Sequence, residues 1–161
     1  MDVALKIFIG ALVAVLIGGI AFGFYRATPP TDTTMATSTI AITIGTSTVQ
    51  SEVEDTDASR EQGLSGRQSL APGTGMLFVF DTPGKYGFWM KDMNFAIDML
   101  FADASGTIVT IAPNASPAGY HLNPPEVFYP AKEVQYILEV PAGFAAAKGI
   151  TVGPKMTVPQ L

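Results

Sequence analysis

The side chains able to do chemistry in this chain are few, and the ones in unusual settings are charged. Asp98 stands between Ile97 and Met99 in the apolar run "AIDMLFA" (96–102). Lys91 and Asp92 interrupt "GFWMKDMNFAIDM" (87–99), which also holds the only tryptophan, Trp89. Arg60 and Arg67 lie upstream in "REQGLSGRQSL" (60–70). A carboxylate buried in an apolar strand is costly unless it is paired, and Lys91 and Arg60 are its natural partners. An exposed tryptophan beside cations and carboxylates is also a common platform for a sugar ring or a carboxylated metabolite. The candidate ligand-binding residues are therefore Arg60, Arg67, Trp89, Met90, Lys91 and Asp98. Catalysis would fall to Asp98 as general acid or base.

Other chemistries lack their parts. The chain has no cysteine, which removes disulfides, thiol nucleophiles and the usual structural zinc sites. Its one histidine, His121, sits in the Pro/Gly/Asn-rich "ASPAGYHLNPP" (115–125) and reads as solvated loop. No serine occupies a nucleophile-elbow motif, and a histidine-based metal site would need a second histidine. The acidic run "EVEDTD" (52–57) lacks calcium-loop spacing. It reads as a solvated strand end entering a helix, where Asp55 and Asp57 favour the positive end of the dipole. "GTG" (73–75) lacks the helix and lysine of a phosphate loop. Nine basic against fourteen acidic residues give a net charge of −5, which disfavours nucleic acid as a partner. The reading requires no metal and no cofactor.

The elements that must position these residues are mostly strands. "TIAITIG" (39–45) alternates Ile40, Ile42 and Ile44 with small residues, and "TSTVQSEVE" (46–54) follows a turn at Gly45–Thr46. "GMLFVF" (75–80) is continuously apolar, as expected of a strand covered on both faces. "YGFWM" (86–90) and "AIDMLFA" (96–102) suggest a hairpin around Asp92–Phe95. Placing Lys91 opposite Asp98 lets the two pair, whereas a slip of one residue puts Met90 there instead. Both registers fit the sequence. "GTIVTIA" (106–112) follows a turn at "DASG" (103–106). "EVQYILEV" (133–140) alternates Val134, Tyr136, Leu138 and Val140 inward with Gln135 and Glu139 outward, and "KMTVP" (155–159) closes the sheet. Two helical turns are expected within 57–70, the second with a Ser65–Gln68 capping box, and a short helix within 141–149. The fold class is mainly β (α+β): a small barrel-like antiparallel sheet with a few short helices, preceded by a single transmembrane helix.

That helix is the N-terminal run "IFIGALVAVLIGGIAFGFY" (7–25), uncharged between Lys6 and Arg26. At about 1.5 Å per residue it spans roughly 28 Å, close to the bilayer's hydrocarbon thickness. Its glycines are common in membrane helices, and only Ala21–Gly23 offers a poor processing site, so an uncleaved anchor is favoured over a signal peptide. Residues 1–26 are thus a transmembrane signal anchor. Residues 27–39, "ATPPTDTTMATST", are a Thr/Pro-rich linker without large apolar side chains, and 40–161 form the globular domain. A short N-terminal tail before a long domain places that domain on the extracytoplasmic side of a single-pass cell-membrane protein.

"REQGLSGRQSL" (60–70), "GTGMLFVF" (73–80), "FWMKDMNFAIDMLFAD" (88–103) and "YPAKEVQYILEVPAGFAAAKGITVG" (129–153), in this order, resemble the domain-of-unknown-function family 192 over roughly residues 46–158. The resemblance maps onto Arg60, Gly63, Leu64, Arg67, Gly75, Met76, Phe78, Phe88, Trp89, Met90, Lys91, Asp98 and Glu139. It implies a compact barrel-like β domain, often exported or membrane-anchored, and no established activity. This chain carries Ser65, Asp92, Met93 and Ala96 where methionine, asparagine, threonine and proline are typical. The functional expectation is a membrane-anchored extracytoplasmic domain that binds a small polar ligand, carbohydrate or a carboxylated envelope component, near Trp89, Lys91 and Asp98. The alternative is a non-catalytic module that docks on an envelope protein, with Arg60, Lys91 and Asp98 a purely structural ion-pair network.

Overall fold

A computed structural model describes residues 39–159. The expected membrane helix (1–26) and the linker up to residue 38 lie outside the described residues. Among the described residues no helix is long and apolar enough to cross a membrane. The elements run β1 (Thr39–Ile44), β2 (Ser47–Glu54), α1 (Asp57–Gln62), β3 (Thr74–Gly84), β4 (Ile97–Ala102), β5 (Ile108–Ala115), a 3₁₀ turn (Pro117–His121), β6 (Val134–Pro141), α2 (Phe144–Ala147) and β7 (Met156–Thr157). The strands form one seven-stranded sheet in the order β5-β4-β6-β3-β2-β1-β7.

The sheet curls into a half-barrel whose two edges touch at one end. Thr107 and Lys155 form an isolated bridge, and Ile108 N–H donates to the Pro154 carbonyl at 3.0 Å. Met156 N–H donates to the carbonyl of Gly106 at 2.8 Å. Gly106 sits at φ +81°, and a Cβ there would run into the Met156 carbonyl oxygen, so the contact requires glycine on both counts.

The expected all-antiparallel sheet is corrected at one place. β2 and β3 pair in parallel, from Gln50 opposite Thr74 to Glu54 opposite Phe78. Parallel neighbours need a crossover rather than a turn, and residues 55–73, including α1, supply it. α1 starts at a capping box in which Thr56 and Ser59 satisfy each other's backbone N–H, with Asp57 in its first turn. The second helical turn expected around Ser65 is absent. Ser65 Oγ instead donates to the Lys91 carbonyl at 3.0 Å, tying the crossover to the loop that precedes β4.

That loop is the second correction. Residues 86–91 are not a strand: Phe88 exchanges one pair of backbone hydrogen bonds with Phe128, at 2.9 and 2.7 Å, and the chain then turns. No hairpin joins 86–91 to 96–102, so neither register proposed for Lys91 and Asp98 exists. Asp92 takes φ +54°, a left-handed conformation that asparagine and aspartate tolerate better than most residues. This accounts physically for an Asx residue at that position.

Two apolar clusters form, one on each face of the sheet. Every strand contributes to the inner one, which includes Ile42, Val49, Leu77, Leu100, Ile108, Leu138 and Met156. The outer one packs Met76, Phe78, Met99, Phe101 and Ile137 beneath Leu64 of the crossover and Met90 of the loop. β4 is buried at all six positions because both its faces are covered. Burying a side chain such as Phe101 completely contributes about 2–3 kcal/mol.

Candidate functional site

The outer face of β3 and β6 forms the floor of a cleft of about 330 Å³. One wall is α1 with the start of the crossover, and the other is the loop carrying Tyr86, Phe88, Trp89, Lys91 and Met93. Gly63 lets the chain leave α1 close to this floor: at φ +46° its missing Cβ would press on the Phe78 ring at 3.1 Å. The aromatic lining is organised by stacking. Phe80 and Tyr86 lie nearly parallel with centroids 3.6 Å apart, and Phe78 meets Phe88 edge-to-face at 4.9 Å. Tyr86 is fixed by its hydroxyl, which donates to the Thr82 carbonyl at 2.6 Å.

Arg60 is a wall of the cleft with three of its five N–H donors engaged. Its guanidinium lies 4.9 Å from the Phe80 ring centroid and donates to the carbonyls of Asp55 and Val79 and to Asp57 Oδ1, each at 2.6 Å. Trp89 projects from the rim, 54% exposed, with its ring edge-to-face on Tyr120 at 6.0 Å. Lys91 lines the same cleft and makes no ion pair among the described residues.

The other expected site residues lie elsewhere. Met90 is buried in the outer core cluster and is a packing residue. Arg67 forms a two-pronged pair with Glu52, at 2.6 and 2.7 Å, outside the cleft lining. That bond to Arg67 holds the Glu52 carboxyl below the usual range.

Asp98 is fully buried on the inner face, with the parity of Leu100 and Ala102. It pairs with no cation. Its carboxylate accepts the backbone N–H groups of Asn114 (2.8 Å), Gly143 (3.1 Å) and Ala145 (2.9 Å). Two of those donors belong to the start of α2, which has no side-chain cap of its own. Asp98 is thus a tertiary cap for α2, and the expected Arg60–Lys91–Asp98 network is absent. His121, in the 3₁₀ turn, lies outside the cleft lining. Among the described residues no group of three or more acidic or histidine side chains is placed to hold a metal ion.

The residue missed from the candidate set is Glu139. Alternation along β6 placed it outward, toward solvent, yet it is only 5% exposed, because the outer face is covered here by the crossover and the loop. Its neighbours across the sheet are Met76 on β3 and Met99 on β4, and its side chain lines the cleft. Burial pushes its carboxyl up to about 8, with no hydrogen bond or charge offsetting that effect. A mostly protonated acid therefore forms part of the floor of an aromatic cleft at neutral pH. Its place among the residues carrying the family resemblance was the signal that could have found it.

Residues 40–158 match the domain-of-unknown-function family 192, described as "Uncharacterized ACR". The match spans well over half of the chain, and the chain belongs to that family. It is similar to a solved structure from Sinorhizobium meliloti 1021 described as a candidate transcription regulator. That similarity has 32% identity and a TM-score of 0.66, over 73% of this chain and 91% of the other. It is also similar to a protein of unknown function from Novosphingobium aromaticivorans DSM 12444, at 28% identity and a TM-score of 0.69, over 74% of this chain and 85% of that one. No curated protein matches.

Proposed function

We propose that this chain is a ligand-binding domain held at the extracytoplasmic face of the cell membrane by a single span within residues 1–26, with 27–39 as its spacer. The uncharged run from Ile7 to Tyr25 supports the anchor. The observation that carries the binding reading is the cleft itself, with stacked aromatic walls, an exposed Trp89 at its rim and a lysine free of ion pairs among the described residues. Trp89 offers a face to a ring, and Lys91 offers a charge to a carboxylate. The ligand class is a carbohydrate or a carboxylated envelope component. Asp98 takes no part in it.

The test is a titration of the full chain, in mild detergent, with neutral and acidic sugars while Trp89 fluorescence is followed. A saturable change that weakens in Lys91→Met supports the reading. No change with any sugar sinks it. Protease added outside intact cells should digest the domain if it faces outward.

A second reading has its own observation. Trp89, Leu122 and Tyr129 are all large, apolar and more than half exposed, as a protein-docking face would require. Crosslinking that recovers nothing above background would count heavily against it. The net charge of −5 disfavours direct contact with nucleic acid, so the regulator description of the Sinorhizobium protein does not carry over.

A further inference from the structure

Glu139 is nine-tenths buried, lines the cleft, and has no donor or counter-charge among the described residues. Among the described residues the fully enclosed side-chain polar atom without a partner is Ser51 Oγ, so the Glu139 carboxyl is not sealed in but turns its oxygens to the cleft, where they can meet a ligand. Its in-sheet neighbours, Met76 and Met99, bring no charge. The charged and titratable groups sharing the cleft are Asp57, Arg60 and Glu61 from α1, and Tyr86 and Lys91 from the loop. Asp57 is bonded to Arg60 Nη2, Arg60 Nη1 donates to two backbone carbonyls, and the Tyr86 hydroxyl donates to a third. Lys91 is the cation in the cleft left without such an engagement.

Resting on the binding reading above, we infer that Glu139 is the specificity-determining residue of the cleft. Its carboxyl donates a hydrogen bond to a hydroxyl or carbonyl oxygen of a hydroxylated ring ligand whose carboxylate pairs with Lys91. A carboxylate carries no proton to donate, so the acid form is the competent one. Burial keeps that form populated at neutral pH, and the ligand's oxygen supplies the partner that the fold withholds. An apolar residue would fill the same volume without a polar cost, yet a carboxyl occupies it. The ligand class is a sugar acid, with its ring on Trp89.

The experiment titrates the full chain in mild detergent with glucuronate, glucose and glucosamine at a series of pH values, reading Trp89 fluorescence. Glucuronate is expected to bind best, with its Kd rising about tenfold per pH unit once Glu139 ionises. Glu139→Gln keeps a donor that does not titrate, so it should bind glucuronate with that rise abolished. A pH-independent Kd in the native protein overturns the inference, as does tighter binding of glucosamine than of glucuronate at neutral pH, where the amine is largely protonated, which would make Glu139 an anion for a cation. Either result leaves the binding reading standing. If none of the three sugars binds, both the reading and the inference fall.

Discussion

Two carboxyl groups stand one rung apart in the middle of the sheet, and they live under opposite rules. Asp98 on β4 is opposite Val140, and Glu139 on β6 is opposite Met99, so their side chains leave the sheet on different faces. Both are largely buried, Asp98 completely and Glu139 to all but 5% of its surface. Asp98 is met by three backbone N–H groups, two of them from the start of a helix, so its charge is accounted for within the fold. Glu139 is met by none and opens on a cleft. Burial alone therefore says little about the role of an acid. The donors around it decide whether it serves the fold or remains available to a ligand.

The comparison breaks if either residue behaves like the other. Asp98→Ala strands three backbone donors and should cost on the order of 3–5 kcal/mol in urea unfolding. A loss below about 1 kcal/mol would remove its structural assignment. Glu139 should act through pH instead. Its folded-state pKa lies above the unfolded value, so the unfolded chain releases its proton first and stability falls as pH rises from 4.5 to about 8. The slope is up to about 1.4 kcal/mol per pH unit, and Glu139→Gln should flatten it. Trp89→Ala should weaken ligand binding by about 1 kcal/mol, followed calorimetrically, while stability moves by less than about 0.5 kcal/mol. Arg67→Ala should be smallest, below about 1 kcal/mol in stability, since Arg67 is more than a third exposed and solvent screens its pair with Glu52. That contribution is present at neutral pH and is lost as pH falls through Glu52's lowered pKa.

Strand periodicity located β1, β2, β4, β5 and β6 to within a few residues, because each has regular alternation or an unbroken apolar run. It failed where alternation implies a solvent side that does not exist. Glu139 follows the alternation of β6 onto the outer face, but that face carries its own apolar cluster and is not open to solvent. The aromatic content of 86–90 mimicked a strand, although those rings are aimed at the cleft and the loop forms only one backbone bridge. The parallel pairing of β2 and β3 was legible in principle. Nineteen residues with helical signals between two strands are long enough for a crossover, whereas the short turns elsewhere suit antiparallel neighbours. Of the cleft residues, Arg60, Trp89 and Lys91 are among the candidates read from the sequence, the last two separated by one residue. Asp98 was conspicuous for a reason unrelated to ligands.

The position of β6 also has a consequence for the order of folding events. β3 and β4 follow one another along the chain, yet β6 lies between them in the sheet. Neither can complete its hydrogen bonds until a segment tens of residues further on has been made and has found the gap. Such non-local pairing places refolding in the millisecond-to-second range rather than among the microsecond folders. During that wait two apolar strands present open edges, and a neighbouring molecule's strand can occupy the gap as readily as the correct one. Refolding yield should therefore decline with protein concentration, and the cleft floor, which β6 supplies through Glu139, is assembled only when that competition has been won.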